Sequence, residues 1–421
     1  MREMKDSGIS WVGEIPKEWS VNRAKYCFVN TKEIAGCRSD RYERLALTMN
    51  GVIKRSKDDS NGLQPEKFET YQILRPDELV FKLIDLQNVS TSRVGLSPYL
   101  GLVSPAYIIL KSNKRVLSAF AEKYFLMLWK NQIFNALGDA GVRSNLNSKD
   151  LLELSIPFPS LAEQQRIAEF LDRECGKIDG LEADIQAQID TLEQYKRSVI
   201  TEAVTHGLNP SAPMKDSGAG WMPLIPSHWK ADKLKFHLRQ RGIKNQIDKQ
   251  VLSLYREYGI VPKDSRDDNH NVTSEDVSYY RYVRVGDFVV NKMKAWQGSV
   301  AVSNYEGIVS PAYFVYEFSD DLINKRYFHY LMRNKTYATE FRRLSGGIRE
   351  GQWDLPSEAL NNTIILLPPL VEQQEIADYL DNKCAEIEQI IADKKSQIET
   401  LDGYKKSLIF EYVTGKKEIA L

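Results

Sequence analysis

Two stretches of the chain nearly repeat each other: residues 159–172 read PSLAEQQRIAEFLD, and residues 368–381 read PPLVEQQEIADYLD. Each leads into a segment whose similarity continues to Thr205 in one copy and to Thr414 in the other. Other landmarks repeat in the same order, with MKDSG at residues 4–8 and 214–218 and VSPAY at residues 103–107 and 309–313. Self-similarity at a fixed spacing indicates repeated structural units. The 421-residue chain is therefore two copies of one unit, each with a strongly repeated segment and a weakly repeated globular part.

The strongly repeated segments, 163–205 and 372–414, predict long helices with one apolar seam. Apolar residues recur at the heptad spacing of a coiled coil, at Leu171, Ile178, Ile185 and Leu192 in the first copy and at Leu380, Ile387, Leu401 and Leu408 in the second, where Lys394 interrupts the seam. We expect the adjoining positions to complete it: Ile167, Leu181 and Tyr195, and Ile376, Ile390 and Tyr404. A helix with a single apolar stripe cannot bury that stripe alone. We therefore predict that the two helices pack together, each about 65 Å long at about 1.5 Å per residue.

The globular parts, near residues 20–155 and 230–365, have the pattern of mixed α/β domains. A turn followed by a buried strand is predicted at residues 75–81 and 285–290, and amphipathic helices are predicted at residues 118–126 and 323–331. The VSPAY repeats read as a strand and turn with a core tyrosine. The predicted fold class is α/β (α+β), with two mixed domains joined by two long helices. The predicted divisions are the N-terminal segment and first domain at 1–158, a central helical region at 159–210, the second domain at 211–367 and a C-terminal helical region at 368–421.

Charge is unevenly distributed along the chain, although the formal net charge is zero. Residues 163–205 and 372–414 each carry five Lys or Arg against ten Asp or Glu, so the remainder is basic by about ten charges. No apolar run approaches the length of a membrane span or resembles a secretory signal, so we expect a cytoplasmic protein. Four cysteines without a C-x-x-C pair, Cys27, Cys37, Cys175 and Cys384, predict free buried thiols rather than disulfides or structural zinc.

These landmarks resemble those of the specificity subunits of type I restriction–modification systems. The resemblance rests on residues 5–19 and 159–172 and on their repeats at 215–229 and 368–381, and it covers essentially the whole chain. Ser160, in place of the proline found at position 369, is a small departure. The resemblance implies two target-recognition domains separated by conserved helical regions, with antiparallel helices and domains inverted about a pseudo-twofold axis.

The same resemblance implies that the chain does no chemistry of its own. The implied partners are double-stranded DNA, two adenine-methylating methyltransferase subunits and, in the full complex, two ATP-driven restriction subunits, with no membrane partner. No cofactor is implied for this chain, because S-adenosylmethionine, ATP and magnesium belong to those partner subunits. The resemblance does not supply the DNA sequence that is read.

The residues themselves also argue against catalysis. An adenine methyltransferase needs a Gly-rich cofactor loop and an Asn-Pro-Pro-aromatic run, whereas Pro368-Pro369 follows Leu367. A nuclease Pro-Asp…Glu-x-Lys pattern could open at Pro76-Asp77, but Val80 stands where the lysine is required. The sequence contains no G-x-x-x-x-G-K-[ST] phosphate-binding loop. We therefore predict no catalytic residue and no metal ligand.

Candidate DNA contacts are basic and amide residues in loops that the duplication makes equivalent. We match Lys82 with Lys292 and Gln87 with Gln297, and in the second copy Lys292, Lys294, Trp296 and Gln297 cluster in one loop. Lysine neutralises phosphates, and glutamine can bond to an adenine edge. The alternative is a solvated loop tip around one buried tryptophan, and the sequence leaves both open.

A second pair of loops carries Gly-x-Arg, at residues 141–143 and 347–349. Glycine lets the backbone approach a ligand closely, and arginine can fork onto guanine or phosphate; the alternative is an arginine that holds the turn. These loops add Arg143, Asn145, Arg349 and Gln352 to the predicted DNA-binding residues. Further basic residues of the second domain are predicted to position phosphates: Arg239, Arg241, Lys244, Arg342 and Arg343.

The interpretation that we favour is a DNA-specificity subunit that reads a bipartite, asymmetric site, with one domain per half-site. The duplicated helices, through the seam residues named above, would offer two equivalent docking surfaces to two identical partner subunits. The alternative is a helical scaffold that binds proteins at its globular ends and has no DNA role. The basic remainder of the chain disfavours that alternative.

Overall fold

A computed structural model of the chain describes residues 2–59, 67–84, 86, 91–138, 145–266, 273–347 and 353–419. The chain forms two compact units: unit 1 comprises Met1–Ile185 and Lys395–Leu421, and unit 2 comprises Gln186–Lys394. Below, domain 1 denotes residues 1–158 and domain 2 denotes residues 211–367. Each unit therefore contains one domain together with part of each long helix.

The elements of the first copy are, in chain order, β1 (Met4–Asp6), β2 (Glu14–Pro16), β3 (Ser20–Arg23), β4 (Phe28–Asn30), β5 (Arg44–Thr48), β6 (Gly51–Arg55), β7 (Gln72–Leu74), β8 (Leu79–Phe81), β9 (Val94–Leu96), β10 (Gly101–Val103), β11 (Ile108–Ser112), α1 (Ser118–Lys130), α2 (Ile133–Leu137), α3 (Ser148–Glu153), β12 (Ser155–Phe158) and α4 (Leu161–His206). The strands form two four-stranded sheets, in the orders β4-β11-β8-β9 and β6-β5-β10-β7, and two strand pairs, β1-β2 and β3-β12.

The elements of the second copy are β13 (Met214–Asp216), β14 (Leu224–Pro226), β15 (Lys230–Lys233), β16 (Leu238–Arg241), β17 (Leu252–Tyr255), β18 (Gly259–Pro262), β19 (Arg281–Val283), β20 (Phe288–Asn291), β21 (Val300–Val302), β22 (Gly307–Val309), β23 (Tyr313–Phe318), α5 (Lys325–Arg333), α6 (Lys335–Leu344), α7 (Ser357–Asn361), β24 (Ile364–Leu367) and α8 (Leu370–Val413). Every strand and α-helix of the first copy has a counterpart here in the same order. The sheet β16-β23-β20-β21 repeats the order of β4-β11-β8-β9. The predicted duplication with mixed α/β domains is confirmed.

The two domains differ in how the second sheet is joined. In domain 1 a parallel pairing between β5 and β10, with Leu102 opposite Arg44, completes a four-stranded sheet. In domain 2 the corresponding strands form two separate pairs, β17-β18 and β19-β22, and an isolated bridge joins Val251 to Ile308. The repeat therefore conserves strand order more closely than strand pairing.

The predicted turns before the buried strands are present at equivalent places. The Glu78 amide donates to the Arg75 carbonyl at 3.2 Å, and the Asp287 amide donates to the Arg284 carbonyl at 3.1 Å. The third residue of each turn has a positive φ, +64° at Asp77 and +86° at Gly286, as a type II turn requires. Strands β8 and β20, which follow the turns, are buried along their whole length.

Each domain packs its first helix on the central sheet through aromatic side chains. Phe81 of β8 meets Phe125 of α1 edge to face, and Phe288 of β20 meets Phe328 of α5 in the same way, both with ring centroids 5.0 Å apart. All four rings are buried, and burial of such side chains stabilises each domain by about 2 kcal/mol or more per ring. The predicted amphipathic helices at residues 118–126 and 323–331 are thus confirmed.

Three of the cysteines, Cys27, Cys175 and Cys384, are buried thiols, whereas Cys37 is exposed, contrary to expectation. Strands β10 and β22 end at Val103 and Val309, so the VSPAY repeats form the predicted strand and turn. Within the described residues, no helix has the length and apolar content needed to cross a membrane.

Candidate nucleic-acid interface and helix pairs

The long helices pair antiparallel within each unit. In unit 1, Phe170 packs on Tyr412 with ring centroids 4.4 Å apart, and Asp179 forms an ion pair with Lys405. The residue number of the contact therefore increases along α4 as it decreases along α8. In unit 2 the same relation holds, because Lys196 pairs with Glu388 and Lys394 donates to Gln188. The predicted antiparallel coiled coil is confirmed.

We call the residues at the heptad spacing the first row of the seam and the adjoining positions its second row. The first row lies where the heptad pattern places it. The structure buries Leu171, Ile178, Leu380, Ile387 and Leu408 and half-buries Ile185, Leu192 and Leu401.

The second row of the seam differs from the prediction. Leu181, Tyr195, Ile390 and Tyr404 are all exposed, Leu181 by 52 %. The row instead consists of residues four places after each first-row position, among them Cys175, Ile189, Cys384 and Ile391. Ile167 and Ile376 are buried as expected.

Polar residues in the second row explain that error. Glu182 and Lys196 occupy packed positions in α4 and break the apolar pattern there. The Lys196 stem can lie along the seam while its ammonium reaches Glu388. Glu182 has a buried carboxyl oxygen without a hydrogen-bond partner among the described residues, and burial raises the pKa of this carboxyl above its ordinary value. Its counterpart in α8 is Ile391, so the seam is not identical in the two units.

The repeated Glu-Gln at the start of each long helix ties that helix to its own domain. Buried Gln164 accepts the Leu117 amide at 2.8 Å and donates to the Pro159 carbonyl at 3.0 Å. Buried Gln373 likewise accepts the Asn324 amide at 2.8 Å and donates to the Pro368 carbonyl at 2.9 Å.

The preceding glutamates act in the same way on two buried tryptophans. Glu163 accepts the Trp19 indole N–H at 3.2 Å, and Glu372 accepts the Trp229 indole N–H at 3.0 Å. The motif that reveals the duplication is therefore a structural joint between helix and domain.

The candidate DNA-contacting residues that the structure describes lie at one end of each central sheet, which we call the loop end: the end at which β8 or β20 finishes. In domain 1 Phe81, the last residue of β8, lies opposite Ile108, and in domain 2 Val290 lies opposite Phe314. Because the VSPAY repeats equate Ile108 with Phe314, Phe81 corresponds to Val290.

This register corrects the predicted pairing of Lys82 with Lys292. The counterpart of Lys82 is Asn291, and that of Leu83 is Lys292. The pairing inferred from sequence was wrong by one residue because it set the turn that begins at Arg75 opposite residue 285, whereas the structure equates Arg75 with Arg284. A shift of one residue along a strand reverses its faces.

The loop end of domain 1 contains a groove of about 460 Å³ with a mixed polar and apolar wall. Asn145 lies in this wall with an exposed side chain, and Leu83, Ile84, Asn30, Lys32, Gln72 and Tyr107 also line it. Asn147 closes the groove by capping α3, since its side chain accepts the Lys149 and Asp150 amides. Lys82 is half-buried beside the groove, and its ammonium donates to Thr91 at 3.1 Å.

The loop end of domain 2 is cationic and aromatic instead. Lys292 forms a 2.7 Å ion pair with Asp354, whereas Lys294 and Gln297 are exposed. Trp296 is half-buried and packs against Trp353 with ring centroids 5.5 Å apart. The Arg342 guanidinium lies 5.7 Å from the Trp353 ring, a cation–π distance. Sequence analysis missed Trp353, although a tryptophan within a polar loop is a signal that could have found it.

Four predicted DNA-binding residues lie outside the described residues: Gln87, Arg143, Arg349 and Gln352. Their predicted roles stay predictions.

Two arginines predicted to position phosphates are engaged within domain 2. The Arg241 side chain is only 9 % exposed and pairs with Asp287 and Glu317, and burial raises the pKa of the Asp287 carboxyl. Because Arg241 is enclosed by carboxylates, its prediction as a phosphate contact is wrong. Arg239 is exposed but also pairs with Glu317, at 2.9 Å.

Comparison with known proteins places this fold in a family. The family model for the type I restriction modification DNA specificity domain matches residues 55–191 and 242–400, which is more than half of the chain. The chain is 25 % identical over 337 residues to the type I restriction enzyme MjaVIII specificity subunit of Methanocaldococcus jannaschii, covering 75 % of this chain and 74 % of that protein. It is 20 % identical over 396 residues to the type I restriction enzyme EcoKI specificity subunit of Escherichia coli K12, covering 85 % and 81 %.

A solved structure that describes complex assembly and conformational transition of the type I R-M system contains a chain of the same fold. That chain matches with a TM-score of 0.66 at 14 % identity, over 96 % of this chain and 99 % of that one. The family match favours DNA specificity over a protein scaffold with no DNA role. The chain belongs to the family of type I restriction–modification DNA specificity subunits.

Proposed function

We propose that each domain reads one half-site of a bipartite, asymmetric DNA sequence through its loop end. The observation that carries this proposal is the contrast within the duplication: the two domains share one order of elements, yet their loop ends differ in chemistry. A shared frame holds both loop ends in the same way, and unlike loop ends select unlike bases. The proposal includes an unread gap between the two half-sites.

The helix pairs are the proposed docking surfaces for two methyltransferase subunits. Each helix carries ten acidic against five basic residues over the segments 163–205 and 372–414, and most of its polar side chains are exposed. Two identical partners require two equivalent surfaces when one chain holds both. Each unit contains the first part of one long helix paired with the last part of the other, so the duplication offers two equivalent surfaces. Two restriction subunits would join through the assembled complex.

Catalysis in this proposal belongs to the partners. S-adenosylmethionine, ATP and magnesium would be bound by the methyltransferase and restriction subunits, and this chain would contribute recognition and positioning alone. We expect the purified chain, incubated with DNA and either S-adenosylmethionine or Mg-ATP, to give neither methyl transfer nor cleavage. Detection of either activity in a homogeneous preparation would overturn this part of the proposal.

The experiment that tests the proposal is methylome sequencing of a host that expresses the chain with its cognate methyltransferase subunit. The expected result is one asymmetric motif of two short half-sites separated by unread base pairs. A single uninterrupted motif would contradict the assignment of one half-site to each domain. A control host that expresses the methyltransferase subunit without this chain should show no such motif.

A further inference from the structure

Two apolar side chains stand exposed at equivalent positions in the two loop ends. The Leu83 carbonyl accepts the Leu146 amide at 3.0 Å, and the Lys292 carbonyl accepts the Leu355 amide at 2.9 Å. The next residues are Ile84, which is 39 % exposed, and Met293, which is 45 % exposed. The corrected register therefore gives both domains a large apolar side chain at one and the same place.

The surroundings of these two side chains combine apolar, polar and basic groups. Ile84 shares its groove with the apolar Leu146, the amide Asn145 and the cation Lys32, and with the carboxylate of Asp150. Met293 stands between Lys292 and the exposed Lys294. Single exposed apolar residues are common on protein surfaces, but here the exposure recurs at equivalent positions and beside positive charge. Positive charge around an apolar tip complements a polyanion with apolar interior surfaces, which describes duplex DNA.

The backbone holds Met293 in a fixed position. Its carbonyl accepts the Trp296 indole N–H at 3.1 Å, and its amide donates to the Asn291 side chain at 3.2 Å. Trp296 is in turn packed against Trp353. A side chain presented from an ordered backbone loses little conformational freedom when it binds, which favours a defined contact.

We propose that Ile84 and Met293 are apolar wedges, each pressed into a base step of the half-site that its domain contacts. The inference rests on the proposed function, since it requires that the loop ends face DNA. Isoleucine and methionine are among the side chains that insert between base pairs in DNA-bending proteins, where they partly unstack one step. Nearby lysines would contact the flanking phosphates. Recognition at both half-sites would then include the ease with which one base step deforms.

The test uses the chain assembled with its methyltransferase subunits and duplexes that carry the motif found by methylome sequencing. 2-Aminopurine is placed at successive steps of each half-site, because its fluorescence rises when it unstacks. For the unaltered protein we expect a rise at one step in each half-site. Ile84→Ala should abolish the rise in one half-site only, and Met293→Ala in the other half-site only.

Affinity measurements give a second readout for the same variants. Each alanine variant should bind about tenfold more weakly or worse, with an unchanged dependence on salt, because no phosphate contact is lost. A mismatch at the wedge step should strengthen binding by the unaltered protein more than by the variant, because a mismatched base pair takes less free energy to unstack.

Matched variants separate a wedge from a general loss of apolar surface. Ile84→Leu and Met293→Leu should retain the fluorescence signal. Leu100→Ala and Leu322→Ala remove exposed leucines away from the loop ends, at 49 % and 60 % exposure, and should leave both affinity and fluorescence unchanged.

Three results would overturn the inference: alanine variants within twofold of normal affinity, no 2-aminopurine signal in either half-site, or a loss reproduced by replacing thymine with uracil. The last would identify a contact to the thymine methyl group instead of a wedge. None of these results would alter the outcome of the methylome experiment, so the inference can fail while the proposed function stands.

Discussion

Domain 1 and domain 2 are built on one frame and end in unlike surfaces. Both present the tip of the strand that follows a type II turn, and both are tied to a long helix by a buried glutamine. At that tip, domain 1 has a groove lined by amides, apolar side chains and the exposed Lys32. Domain 2 has a tryptophan pair beside Lys292, Lys294 and Arg342. The difference teaches that duplication preserved the parts that hold the fold and changed the loop ends, which are the parts that we propose to contact DNA.

The largest expected effect is a loss of stability when an equivalent seam leucine is truncated in either long helix, and the loss should be similar in the two helices. Leu171 and Leu380 are fully buried counterparts in α4 and α8. We expect Leu171→Ala and Leu380→Ala each to lower the free energy of unfolding by about 2 to 5 kcal/mol, because each leaves a cavity in a helix pair. Urea denaturation of the purified variants measures the loss.

Leu181→Ala is the matched control for those variants. Its side chain is on the same helix but exposed, so we expect a change of about 0.5 kcal/mol or less. A loss at Leu181 as large as that at Leu171 would place the seam on the wrong face of α4.

A smaller effect separates the two units by their response to acid. In domain 2 the Val302 amide donates to the imidazole of His329 at 3.3 Å, whereas in domain 1 the Leu96 amide donates to the carboxylate of Glu122 at 2.9 Å. Burial lowers the pKa of His329 from 6.5 to about 4. The unfolded chain therefore binds a proton between these pH values that the folded chain does not, so unit 2 loses stability as pH falls from 6.5 toward 4.

The loss from His329 should reach about 2 kcal/mol at pH 5. His329→Gln keeps a hydrogen-bond acceptor but does not titrate. We expect the free energy of unfolding of this variant to fall less between pH 7 and pH 5 than that of the unaltered protein. Equal pH dependence of the two proteins would remove His329 as the cause.

The smallest effect concerns the salt dependence of DNA binding. Lys294 is exposed and forms no ion pair with any other described residue, whereas Asn145 at the loop end of domain 1 is neutral. Lys294→Ala should weaken binding a few-fold and reduce the slope of log affinity against log salt by about 0.9, the value for one phosphate contact. Asn145→Ala should leave the slope unchanged. Binding titrations over a range of salt concentrations distinguish these outcomes, and an unchanged slope for Lys294→Ala would exclude a phosphate contact there.

The sequence predicted the frame because the frame is repeated. Duplicate landmarks and the heptad spacing of Leu171 to Leu192 suffice to predict two domains and two paired helices. Sequence also predicted the turn at Asp77 and Gly286, since its local chemistry is independent of distant contacts.

The second row of the seam and the register of the loop ends were not predictable, because they depend on packing between residues that are distant in sequence. Glu182 and Lys196 lie in the seam, whereas the apolar Leu181 and Tyr195 face solvent, so apolar residues alone mark the wrong second row. The match of Lys82 with Lys292 failed because the turns before these strands share too few residues to fix their alignment, which the hydrogen bonds and strand pairing of the structure do fix. Ile84 and Met293 were passed over because an apolar residue after a buried strand reads as core.

Exchange of residues 230–365 for the equivalent domain of a related specificity subunit, followed by methylome sequencing, tests the central claim most directly. If each domain reads its own half-site on a common frame, one half of the methylated motif changes while the other half and the gap between them stay the same. If the exchange alters both halves, or changes the gap, the domains do not read independently and the account is wrong.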